Sequence, residues 1–235
     1  MPEEKKHRKL PSIELTPSVS IIIAGVIIAG AIIFANQHSA PVAAAVAAAP
    51  DAAASAHVAM PSASDHIIGS PSAPIVLVEY SDFQCPYCQM IYPSIKQIVQ
   101  QSNGQVAWVM REFPLYQIHP NAMPAADAAE CIAEQKGNDA FWTFADDDFA
   151  NQSSIGPAFF SAEAQKLGVN MATYNSCVST HKYASKIQAE TADAENSGGN
   201  GTPFTIIINT KTGKQTPLSG ALPYAQIMAA IKAAQ

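Results

Sequence analysis

A chain of 235 residues, 48% of them apolar, carries enough carbon surface for one packed domain with additional segments. Its net charge of −6, with no basic block beyond the first ten residues, excludes the electrostatic footprint of a nucleic-acid binder.

The first segment, 1–18, holds Lys5, Lys6, Arg8 and Lys9 in front of VSIIIAGVIIAGAIIFA, a run at 19–35 that carries no charge. Such a run is long enough to cross a bilayer or to serve as a signal h-region, and the Lys and Arg before it keep the N-terminus cytoplasmic. Everything after residue 35 is therefore expected on the exported side, periplasmic or otherwise extracytoplasmic. The run exceeds the ~7 to 15 residues of an ordinary cleaved signal, which favours an uncleaved transmembrane anchor. The Ala-x-Ala steps that follow leave cleavage open. Residues 36–64 are mostly Ala, Ser and Pro with Asp51 as their one acid, a composition that buries too little surface to offset its ordering entropy and reads as a flexible linker.

From residue 65 to 235 the composition becomes that of a folded domain. IVLVEY at 75–80 is a β-rich run bounded by prolines and the turn-like SDF, and reads as a buried strand. Beyond CPYC, Ile91, Ile95, Ile98 and Val99 fall at helical spacing, with Asn103-Gly104 as the stop. QVAWVMREF at 105–113 alternates as a second strand, completing a β-α-β unit. The stretch from Pro120 to Ser197 is helical in character; then come a strand at 204–208, a hairpin through Asn209 to Gly213, a short returning strand and an amphipathic helix in YAQIMAAIKAA. This order predicts an α/β thioredoxin fold with a helical insertion at about 115–200.

Cys85 and Cys88 stand three positions apart directly after the first strand. Structural zinc needs four ligands, and Cys131 and Cys177 are single residues far from any such pair; c-type haem needs a His where Gln89 stands. A never-reacting bridge stays open, although so short a loop restrains the unfolded chain little. Thiol–disulfide exchange suits the pattern better. Cys85 at a helix N-terminus meets free backbone amides that favour its thiolate, while Cys88, one turn on, resolves the mixed disulfide. Pro86 fits the first helical turn, where its missing N–H has no intrahelical partner, and Tyr87 shapes the surface beside the sulfur. Glu79 sits in an otherwise apolar strand, where a carboxyl with a raised pKa could pass protons to or from Cys88; a solvated glutamate at a sheet edge is the alternative. Thr202-Pro203 precedes the strand IIIN, where a cis proline would set its preceding backbone against the sulfurs and dock a client chain by strand-like bonds.

DFQCPYCQ after a strand, HPNA and AAEC in a helical insertion, and GTPF before a strand together resemble the DsbA-like thiol:disulfide oxidoreductases of bacteria, over residues 65 to 235. The resemblance implies Cys85 as nucleophile, Cys88 as resolving thiol, Glu79 as buried acid and Pro203 as cis proline. It also implies unfolded exported proteins as substrates and a membrane quinone-linked partner that reoxidises the pair, with no cofactor. Pro-Tyr between the cysteines differs from the Pro-His of the strongly oxidising type, and Thr202 before the proline resembles the isomerases. An isomerase or reductase kept reduced by a membrane partner is therefore the alternative; a chaperone or copper-delivery module is an alternative of another class. No dimerisation segment shows, so a monomer is expected.

Cys131 and Cys177 lie in the insertion of an exported chain, where a disulfide persists and would restrict the unfolded state by about 3 to 4 kcal/mol. Two buried free thiols are the alternative. His57, His66, His119 and His181 show no metal-ligand spacing and read as loop or surface residues, with His119 set apart because the chain around it leads into the insertion that could overhang the active site; no metal site is expected. Asp146, Asp147 and Asp148 lack the Gly and Glu of a calcium loop and read as a solvated helix face. Phe141, Trp142, Phe144 and Phe149 read as insertion core.

Overall fold

The computed structural model describes residues 57–235; the segment 1–18, the anchor expected at 19–35 and the linker as far as residue 56 lie outside them. Among the described residues no helix is long and apolar enough to cross a membrane.

Five strands form one mixed sheet: β1 (His66–Ile68), β2 (Ile75–Ser81), β3 (Val106–Glu112), β4 (Phe204–Asn209) and β5 (Gln215–Ser219), in the order β1-β3-β2-β4-β5. A run as continuously apolar as IVLV belongs where both faces are covered. Accordingly β2 is central, parallel to β3 and antiparallel to β4. The short β1, antiparallel to β3, has too few residues to show an alternation and was not expected.

The pleat of β2 divides the core. Ile75 and Leu77 point to one face, where Ile91, Ile95 and Ile98 of α1 (Pro86–Gln101) supply the matching stripe. Val76, Val78 and Tyr80 point to the other, against Val109, Ile206, Ile208 and Ala194. Between β3 and β4 come α2 (Ala122–Lys136), α3 (Asn138–Ala150), a 3-10 turn (Gln152–Ser154), α4 (Pro157–Lys166), α5 (Met171–Ser179) and α6 (Ala184–Asn196); α7 (Tyr224–Ala234) closes the chain. Ile227 and Ile231 of α7 join the α1 face of the sheet. Cys131 on α2 and Cys177 on α5 are bonded to each other, with Cα atoms 5.9 Å apart. Phe141, Trp142, Phe144 and Phe149 are all buried in the insertion.

Three features differ from the sequence reading. Residues 57–64, taken as linker, lie against the domain: Val58 is buried, exchanges hydrogen bonds with the Gln215 side chain, and is followed by Ala59, whose carbonyl accepts from Arg111 at 3.0 Å. Arg111 is 5% exposed, so its guanidinium needs acceptors on every side, and Asp65, Asp193, Tyr80 and Ala59 supply them. His66 is buried rather than on the surface, stacked on Phe141 with ring centres 3.7 Å apart and bonded through Nε2 to Glu130 at 3.0 Å. Asp148 is 0% exposed. Asp146 and Asp147 face outward to Lys96 and Lys166, and the next step of the helix turns Asp148 inward.

Candidate active site

Asp82 builds the turn that delivers the cysteine pair. Its backbone carbonyl accepts the Cys85 N–H at 3.0 Å, while its side-chain Oδ1 accepts the Gln84 N–H at 2.7 Å. An aspartate at the head of a tight turn suits this double role, because its short side chain reaches the amide two residues on. Cys85 is then the N-cap of α1, with extended backbone (φ −75°, ψ 121°), and Pro86 takes the first helical position. Cys88, one turn in, is 0% exposed and Cys85 only 2%. Tyr87 stands out at 59% exposure beside them.

The Thr202–Pro203 peptide bond is cis, and the Cys85 thiol donates to the Thr202 carbonyl at 3.5 Å. The loop before it crowds the sheet: a Cβ on Gly199 would stand 2.7 Å from the Phe204 ring. No side chain larger than hydrogen fits there. The loop is thus held within reach of the sulfur.

The two thiols are electrostatically unequal. The neighbouring Cys88 thiol, more than any other influence, brings Cys85 down from 9.0 to about 6; burial opposes it, and the nearby Thr202 hydroxyl, which reaches no hydrogen-bond geometry, and the backbone N–H groups of Cys88 and Tyr87 assist. Cys88 moves the other way, pushed well above its ordinary value first by burial and then by the neighbouring Cys85. Glu79 lies behind the pair on the α1 face of β2, 0% exposed and with neither carboxyl oxygen hydrogen-bonded. Burial raises it to about 7; the nearby Ser81 hydroxyl and Trp108 indole N–H hold it back in part without reaching hydrogen-bond geometry, and the Cys85 charge adds to the rise. A solvated edge position is excluded, since β2 is flanked on both sides.

On the insertion side, an open cleft of about 520 Å³ is lined by Gln84, Pro86, Gln89, His119 and Gln152. The Gln152 amide donates to the carbonyls of Phe83 and Cys85, Gln89 donates to Phe149, and Gln84 accepts from Asn121. Asp82 Oδ2 also accepts from Leu115 N at 2.8 Å and pairs with His119 Nδ1 at 2.8 Å. These ties fix the cysteine turn to the insertion. Of these residues the sequence singled out His119 alone, for its place where the chain enters the insertion; a further signal was Asp82, a turn-forming residue three before the nucleophile. Cys131 and Cys177 are far along the insertion from this constellation and take no part in it. A larger cavity of about 760 Å³, between residues 113–117 and α6, contains neither cysteine. Among the described residues no group of three or more His, Cys, Asp or Glu is arranged to hold a metal ion.

A dithiol at a helix N-terminus, an acid beneath it and a cis proline beside it, on a β-α-β sheet, define a redox-pair protein of thioredoxin architecture. Residues 62–233 match the family described as Thioredoxin, and the chain belongs to that family. Within it the fold is DsbA-like. The chain aligns with DsbA2 of Pseudomonas aeruginosa at a TM-score of 0.63 and 25% identity, over 75% of this chain and 97% of that one. It aligns with BdbD of Bacillus subtilis at 0.64 and 19% identity, over 76% and 97%, a likeness of fold. Among curated sequences it is 34% identical over 145 residues to Na(+)/H(+) antiporter NhaA 3 of Salinispora tropica, covering 62% of this chain and 22% of that protein. NhaA 1 of Mycolicibacterium vanbaalenii is 33% identical over 147 residues, covering 62% and 23%. The chain spans less than a quarter of these relatives' length, so the similarity concerns a portion of each.

Proposed function

We propose that the protein is a thiol:disulfide oxidoreductase that donates its Cys85–Cys88 disulfide to exported chains. A client thiolate attacks Cys85, the Cys85–Cys88 bond breaks, and Cys88 leaves with the electron pair and takes a proton. Glu79, held near half protonation at neutral pH, supplies that proton. A second client thiol then attacks the client sulfur of the mixed disulfide, and Cys85 departs as a thiolate. The pair ends reduced and the client ends oxidised by two electrons. Thr202 and Pro203 present main chain beside Cys85 for a client strand, and Pro86 and Tyr87 form the surface it crosses. Unfolded exported proteins are the substrates, a membrane quinone-linked protein restores the disulfide, and the anchor at 19–35 holds the domain at that membrane.

The observation that carries the direction is the lowered Cys85 pKa of about 6. A thiolate stabilised in the reduced state makes the disulfide easier to give away. Relative to a thioredoxin-type nucleophile near pKa 7 and a potential of about −270 mV, one unit is about 1.4 kcal/mol, or about 30 mV for two electrons. The test is equilibration of the full-length protein with glutathione, scoring Cys85 and Cys88 separately from Cys131 and Cys177. A potential of about −240 mV or higher supports disulfide donation. A value at or below about −270 mV makes the protein a reductant, and no exchange at all returns the pair to a structural bridge.

A further inference from the structure

The client's own proton needs a destination. A cysteine in an unfolded chain has a pKa near 8.5 and is about 3% thiolate at pH 7, so an acceptor at the site could speed its attack by at most about 30-fold. Glu79 cannot serve, because it is buried behind Cys88 with no surface to offer a client. The cleft beside Pro86 contains one other candidate. Its walls are the amides of Gln84, Gln89 and Gln152, with Ser153 and Ala150, and His119.

His119 is held as a base would be. Asp82, 1% exposed, already accepts N–H bonds from Gln84 and Leu115, so it meets the imidazole as an acceptor and Nδ1 carries the hydrogen. The free lone pair of the neutral ring is therefore on Nε2, which has no partner among the described residues. The His119 side chain keeps 16% of its surface, against 0% for the Asp82 carboxylate that orients it. Two other buried acids sense Asp82: Asp148, with neither oxygen bonded, is raised to about 8 by burial first and then by the Asp82 charge, and Glu112 is raised well above its ordinary value by burial first, with Asp82 a smaller cause. Asp148 is thus mostly neutral at pH 7, and Asp82 is the carboxyl bonded to the ring.

We infer that His119, oriented by Asp82, is the base that takes the proton from the incoming client thiol in the cleft beside Cys85. The inference rests on the oxidoreductase reading above. In the step, the client S–H proton passes to Nε2 as the client sulfur bonds to Cys85; the Cys85–Cys88 bond breaks, its electron pair goes to Cys88, and Glu79 protonates that sulfur. His119 then releases its proton to water. Run in reverse, the imidazolium returns a proton to a departing client thiolate. The two proton sites thus divide the labour: the buried acid serves the buried sulfur, and the half-buried imidazole serves the thiol that arrives from solvent.

The experiment mixes the oxidised full-length protein at pH 7 with two thiols, a short cysteine peptide and an aromatic thiol already ionised at that pH, and follows mixed-disulfide formation by acid quench and mass. His119→Gln retains an N–H to bond Asp82 but has no base. The peptide should react about 5- to 30-fold more slowly with the variant, the aromatic thiol within about 2-fold of wild type. Equal slowing of both thiols would mean that His119 only positions the turn and would overturn the proposal, as would no slowing of either. Should the variant fail to fold, the solvent deuterium isotope effect on wild type decides: an effect larger for the peptide than for the aromatic thiol supports a base, and equal effects refute it. If wild type reacts with neither thiol, the oxidoreductase reading itself fails.

Discussion

Cys88→Ala tests the electrostatics of the pair directly. Three units separate the ordinary Cys85 value of 9.0 from about 6, worth about 4 kcal/mol in favour of the thiolate. The Cys88 thiol beside that sulfur is the largest contribution, and a hydrogen bond to a charged acceptor contributes about 1.5–3 kcal/mol. Its removal should therefore raise Cys85 by about 1 to 2 units, to about 7 to 8. The remainder belongs to Thr202 and to the amides at the start of α1, which alanine leaves in place. Cys88→Ser keeps an O–H donor and should fall between alanine and wild type. The assay is a pH titration of thiolate ultraviolet absorbance on the full-length protein, in which the Cys131–Cys177 disulfide is silent. A Cys85 that stays at about 6 in Cys88→Ala would refute the reasoning and assign the whole shift to Thr202 and the helix N-terminus.

Glu79→Gln bears on proton supply and on stability together. Folded Glu79 has its pKa raised from 4.5 to about 7, so it binds its proton more tightly folded than unfolded, and that contribution is complete below pH ~4.5 and lost as the pH rises through ~7. Denaturant unfolding should show wild type losing about 3 kcal/mol over that window relative to the variant, and quenched turnover should show release from Cys88 slowed about 10-fold or more; a variant with the wild-type pH profile would remove Glu79 from the mechanism. Cys131→Ala with Cys177→Ala opens a loop of 46 residues, expected to cost about 4 kcal/mol and to lower Tm by about 8–16 °C in calorimetry, without shifting the Cys85 titration.

The redox face was legible from sequence because each part depends on local order: a strand, a turn, two cysteines one helical turn apart, and a proline before a returning strand. The insertion was legible as helical but not as contacts. Nothing in the order of residues relates Gln152 to the carbonyl of Cys85, 67 positions away, or His119 to Asp82, since both pairs are made by packing α2 and α3 over the turn. Asp148 misled for a related reason. Three aspartates in a row look solvated, yet one position along a helix is about 100° of rotation, enough to send the third inward, where it is 0% exposed. The start of the domain was drawn too late because Val58 and Ala59 are held by Gln215 and Arg111 through their backbone, which side-chain composition does not record.

Four carboxyls, Glu79, Glu112, Asp127 and Asp148, are buried with their pKa raised, and burial alone does not separate a working acid from a structural one. Their neighbours do. Glu112 feels Glu130, Glu190 and Lys186, and after them Asp82, in a charged network whose bonds tie β1, β3, α2 and α6 together, and Asp127 feels His181 and Glu130; neither acid is perturbed by a sulfur. Asp148 feels Asp82 and reaches the chemistry only through the turn that Asp82 holds. Glu79 alone of the four is perturbed by Cys85 and in turn perturbs Cys88, so a change of charge on the sulfurs changes its proton affinity. That reciprocity is the physical requirement for a group that hands over a proton when a disulfide opens, and of the four acids only Glu79 meets it.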